Sequence, residues 1–166
     1  MKKINIVLAV LLTALVLGFA SCKQAKDVNI VSEPTNEHDL RYDISGTATQ
    51  SGTSYTLKGE ARFYWWDNNK DTNIVDLDPW GNSFVSVDAY DASNNYVDSA
   101  DEDVLDLSPL VKLNGKISTT KTTNGETKYV DISDRFSNGS IGDSSFTYTY
   151  TEPTTNFTFV LTFTKF

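Results

Sequence analysis

The run Tyr55-Thr56-Leu57-Lys58-Gly59-Glu60-Ala61-Arg62-Phe63-Tyr64-Trp65 decides the fold class. Tyr55, Leu57, Ala61, Phe63 and Trp65 alternate with Thr56, Lys58, Glu60, Arg62 and Tyr64, so an extended chain here has one apolar and one polar face. A period of two marks a half-buried antiparallel strand. Outward from it, the same alternation recurs in Tyr42 and Ile44, in Val85, Val87 and Ala89, and in Val111, Leu113 and Ile117. It returns in Val130 and Ile132, in Phe146, Tyr148 and Tyr150, and in Phe157, Phe159, Leu161 and Phe163.

Turn signals separate these runs at Ser51-Gly52, Asn68-Asn69, Ser93-Asn94-Asn95, Asn124-Gly125 and Ser137-Asn138-Gly139. Asn124-Gly125 predicts a type I′ hairpin, because both residues tolerate positive φ. Roughly seven to nine short strands at this spacing predict an all-β fold, an antiparallel β-sandwich or, alternatively, a small closed β-barrel. One segment competes. Ser99-Ala100-Asp101-Glu102 has the form of a capping box, with Val104, Leu105 and Leu107 behind it and Pro109 as a stop, and predicts a short helix over 99–107.

Residues 1–21 have a different character: Lys2 and Lys3, then an apolar run from Ile6 to Leu17 that only Thr13 relieves. This is the pattern of a secretory signal peptide, too short to span a bilayer comfortably. Leu17-Gly18-Phe19-Ala20-Ser21-Cys22 resembles the lipobox of bacterial lipoproteins, with Phe19 where that family usually has Leu. The resemblance implies that Cys22, the only cysteine, is diacylated and becomes the N-terminus. Removing residues 1–21 takes away two lysines and moves the net charge from -8 to -10.

The lipobox further implies a protein of the bacterial cell envelope, held to a membrane by lipid. Lys23, where enterobacterial inner-membrane lipoproteins carry Asp, points to the outer membrane. Residues 22–39 are polar and aperiodic and predict a tether, to which Val28-Asn29-Ile30-Val31 is the one strand-like exception. Residues 40–166 then make a single domain. The acidic balance excludes nucleic acid as a partner, since binding there rests on Lys and Arg neutralising phosphates.

The candidate chemistry is sparse. His38, the only histidine, lies at the end of the tether and reads as a solvated residue. Asp88, Asp91, Asp98, Asp101, Glu102, Asp103 and Asp106 supply carboxylates for a glycosidase-type pair, but no motif fixes their separation, and such a run reads first as a solvated face. Asp67-Asn68-Asn69-Lys70-Asp71-Thr72-Asn73-Ile74-Val75-Asp76-Leu77-Asp78 resembles the calcium loop of EF-hands, which implies Asp67, Asn69, Asp71, Asn73 and Asp78 as ligands. Thr72 in place of the turn glycine, and Pro79 beyond, restrict this to a calcium-stabilised β-loop. Trp65 falls on the apolar face, whereas Tyr64, Trp66 and Trp80 flank the loop as candidate binding aromatics.

The expected protein is therefore a lipid-anchored, non-catalytic binding or structural module with a glycan or protein ligand. It requires no cofactor, with calcium as an option. A calcium-stabilised carbohydrate-binding module and a carboxylate-dependent glycoside hydrolase are the alternatives.

Overall fold

The computed structural model describes residues 37–66, 83–113 and 115–166. The signal peptide, Cys22 and most of the tether lie outside them, as does the 67–78 loop. The described chain is all-β and antiparallel. Its strands are β1 (Glu37–Gln50), β2 (Thr53–Trp66), β3 (Phe84–Tyr90), β4 (Tyr96–Asp101), β5 (Leu110–Leu113), β6 (Lys116–Thr123), β7 (Glu126–Asp131), β8 (Phe136–Ser137), β9 (Ser145–Thr151) and β10 (Thr158–Lys165). Seven form one open sheet in the order β4-β3-β2-β1-β10-β9-β8, and β5-β6-β7 form a second. This is a sandwich rather than a closed barrel.

The expected alternation holds along the large sheet. Tyr42, Ile44, Leu57, Phe63, Val87 and Leu161 point inward and are buried, while Thr and charged residues take the outer face. The turns follow the sequence signals too: Ser51-Gly52 and Asn124-Gly125 both have positive φ at both positions, the type I′ geometry that suits a twisted hairpin.

Three expectations are corrected. Residues 99–107 form no helix: β4 runs to Asp101, and a compact turn follows in which the Leu105 amide donates to the Asp101 carbonyl (3.0 Å) and the Leu107 amide to that of Glu102 (2.8 Å). Asp106 there has φ +57°, which a continuing right-handed helix does not allow. Val111 and Ile117 sit on two strands rather than one, because the chain reverses at Gly115 (φ +76°). His38 belongs to β1, in phase with Leu40 and Tyr42, and stacks on Trp65 with ring centroids 4.4 Å apart instead of standing in solvent.

The second layer covers part of the large sheet. Leu105, Leu107, Leu110, Ile117 and Ile132 share one buried cluster with the inward residues of the seven strands. Gly46 and Gly59 lie on adjacent strands of the inner face, and a Cβ at either would collide with a carbonyl oxygen, of Val160 and Ser86 respectively. Glycine at both positions lets the neighbouring backbone approach closely.

Candidate functional site

The inner face of the large sheet has two unlike halves. Toward one end, Tyr42, Phe63, Phe146 and Phe163 fill the space: Phe146 and Phe163 stack at 4.5 Å, and Tyr42 meets Phe146 edge-on at 5.3 Å. The Tyr42 hydroxyl donates to the Asp143 carbonyl (3.1 Å) and accepts from the Gly142 amide (3.0 Å), so the one polar atom of this cluster is satisfied. Toward the other end, several inward positions are small, Gly46 and Ala48 on β1, Ala89 on β3 and Ala100 on β4, beside the larger Leu57 and Tyr55 on β2.

A pocket of about 480 Å³ occupies that second half, within the roughly 300–1,000 Å³ range of small-molecule sites. Its walls are mainly apolar. Ala48, Leu57, Val87 and Ala89 form the sheet side, Tyr150, Phe157 and Phe159 one flank, and Val97 and Val104 the other. Polar groups enter as Asp98, Ser99, Asp103, Glu152, Thr154 and Thr155.

The surrounding turns are pinned. Glu152 accepts from the Thr154 amide (2.9 Å) and from the Thr155 amide and hydroxyl (2.5 and 2.6 Å). These donors pull its carboxyl down to about 2 from the usual glutamate range. The Gln50 amide group donates to the Thr155 carbonyl (2.5 Å), tying the β1–β2 turn to the β9–β10 turn. Asp91 accepts from the amides of Ser93 and Asn95 and closes the β3–β4 turn.

Behind the pocket, the 102–109 turn is latched to the sheet. Arg135 donates to Asp106 (2.8 Å) and to the Tyr148 hydroxyl (3.2 Å), which itself donates to the Leu105 carbonyl (2.6 Å). The Arg135 guanidinium lies over the Tyr150 ring at 4.6 Å, and Lys121 reaches Asp106 at 3.3 Å. Burial pushes the Tyr148 phenol well above its ordinary range, so it stays a neutral donor. The pocket wall at Tyr150 thus has a charged, fully engaged backing.

The sequence-predicted site residues lie elsewhere. Tyr64 is on the outer face, its ring under the Arg62 guanidinium at 5.3 Å, and Arg62 makes a two-pronged contact with Asp39 (2.7 and 2.9 Å). Trp65 packs against the core with His38. Asp67, Asn69, Asp71, Asn73, Asp78 and Trp80 fall outside the described residues, as does the Trp66 side chain. No group of three or more His, Cys, Asp or Glu placed to hold a metal occurs among the described residues. Trp65 is eight residues along β2 from Leu57, about 26 Å at 3.3 Å per residue. The pocket and the tryptophan end are opposite ends of one strand.

The acidic run divides its duties. Asp88 faces Lys58 across β2 and β3, Asp91 and Asp101 serve turns, Glu102 approaches the Val85 amide at 3.5 Å, and Asp106 holds Arg135. Only Asp98 and Asp103 of this run reach the pocket, where Glu152 joins them.

The chain matches no protein-family profile, no curated protein and no solved structure. Its functional reading rests on the residues themselves.

Proposed function

We propose that this chain is a lipoprotein of the bacterial cell envelope, anchored through Cys22 to the outer membrane, whose β domain is a non-catalytic module that holds a small ligand in the hairpin-end pocket. The leader and lipobox support the anchor. The pocket carries the binding reading: about 480 Å³ of mainly apolar space, bounded by turns that side-chain hydrogen bonds keep in place. Among the described residues no helix is long and apolar enough to cross a membrane.

The expected ligand changes accordingly. The aromatic residues lining the pocket are Tyr55, Tyr150, Phe157 and Phe159, and they suit a compact molecule with apolar faces. A glycan end-group is the second reading, favoured by rings standing beside carboxylate acceptors in the same pocket.

The neutral fluorophore N-phenyl-1-naphthylamine tests the pocket. With the lipidated mature protein in nanodiscs, its emission should rise saturably over empty nanodiscs, and Ala89→Trp, which fills the pocket, should remove the rise. A rise that Ala89→Trp leaves intact would overturn this reading, as would no rise at all. The anchor has its own test: Cys22→Ala should abolish acylation and membrane association.

A further inference from the structure

We propose that the pocket selects ligands whose polar group is a protonated amine and rejects carboxylates and phosphates. This rests on the pocket being a binding site and adds the charge of what it binds.

The charged lining is of one sign. Asp98, Asp103 and Glu152 contribute carboxylates, and among the described residues no Lys, Arg or His lines the pocket. Glu152 is saturated by the donors of its own turn. One oxygen of Asp98 takes the Ser99 amide at 2.9 Å. Neither Asp98 nor Asp103 has a basic partner within 4 Å among the described residues, whereas Asp106, Asp39 and Asp131 do. Two carboxylates therefore remain at the pocket with their charge uncompensated.

Cations on neighbouring elements are engaged elsewhere. Arg135 stands over Tyr150, but Asp106 holds it at 2.8 Å. Lys121 goes to the same carboxylate. Lys58 lies on the outer face of the sheet, over Tyr90 at 5.3 Å.

The apolar lining suits the same ligand. Tyr55 and Phe157 both line the pocket, with ring centroids 6.1 Å apart and planes tilted by 55°. Such faces attract an ammonium group by their quadrupole and repel an anion. An amine carried on an aromatic body would bury its rings against Val87, Ala89 and Phe157 and place its charge beside Asp98 and Asp103. A carboxylate on the same body would meet two like charges. The whole chain, at net -8, adds a field of the same sign.

Three probes that share one ring system make the test: 2-naphthylmethylamine, 2-naphthylmethanol and 2-naphthoate, titrated calorimetrically into the lipidated protein in nanodiscs, with empty nanodiscs subtracted. The amine should bind at least about tenfold tighter than naphthoate, with the alcohol between them. Asp103→Asn should weaken the amine and narrow that ratio, while Ala89→Trp should abolish binding of all three. Equal affinities for the three probes, or tightest binding of naphthoate, would overturn the charge selectivity and leave the pocket standing. Binding of none would overturn the pocket as well. A ratio unchanged in both Asp103→Asn and Asp98→Asn would remove these carboxylates from the account.

Discussion

The two halves of the large sheet's inner face are built on the same strands with the same alternation, yet one is a packed core and the other a pocket. The difference lies in side-chain volume. Along β1 the inward series runs Tyr42, Ile44, Gly46, Ala48; along β3 it runs Val85, Val87, Ala89. Both series end on small residues toward the hairpin, whereas β2 between them carries Leu57 and Tyr55 there. Burial direction comes from period, but whether the buried space is filled comes from size, and size can be exchanged without altering the fold.

The filled half should respond most strongly to truncation. Phe163 is buried against Phe146 and Tyr42, so Phe163→Ala should cost about 3–5 kcal/mol in urea unfolding. A loss below about 1 kcal/mol would mean that the aromatic end is not close-packed.

Gly59 lies between the halves. Gly59→Ala forces a methyl group against the Ser86 carbonyl and should cost about 1–3 kcal/mol, read in the same assay. An unchanged midpoint would show that the close strand approach here does not matter.

The open half predicts a gentler response. Ala89→Trp adds a large side chain where space already exists, so it should escape the overpacking cost of about 1–3 kcal/mol seen in filled cores. If it destabilises as much as Gly59→Ala, the pocket is smaller than the geometry implies.

The smallest expected effect is at the pocket's rim. Glu152 has a carboxyl held near 2 when folded, below its ordinary range, so the folded state binds this proton less readily than the unfolded chain. Its contribution is therefore complete above the unfolded value and is lost as pH falls through the ordinary glutamate range toward 2. Glu152→Gln should flatten the fall of melting temperature across that window, and an unaltered slope would show the turn bonds to be without consequence.

Much of the fold was legible because alternation and turn chemistry are local. Asn124-Gly125 and Ser51-Gly52 needed no tertiary information. β4 was not legible: Ser99 and Glu102 have capping-box spacing, and only pairing with β3, which aligns Val87 with Ala100, makes this segment a strand. The reversal at Gly115 was hidden because apolar residues keep their spacing across it.

The candidate site was less legible still. Tyr64, Trp66 and Trp80 drew attention because they cluster in sequence, whereas the pocket gathers single small residues from β1, β3 and β4, which only strand register brings together. A signal was present on two strands: the inward positions of β1 and β3 become small in the same direction, while those of β2 do not. His38 was misplaced for a related reason, since its partner Trp65 lies on the neighbouring strand.

The most direct test of whether function resides in the open half is to map N-phenyl-1-naphthylamine binding by NMR chemical shifts on the full mature protein. Perturbations should concentrate at Ala48, Val87, Ala89 and Tyr150, with Tyr64 and Trp65 silent. Perturbations confined to Tyr64 and Trp65 would contradict it and move the site to the opposite end of the sheet.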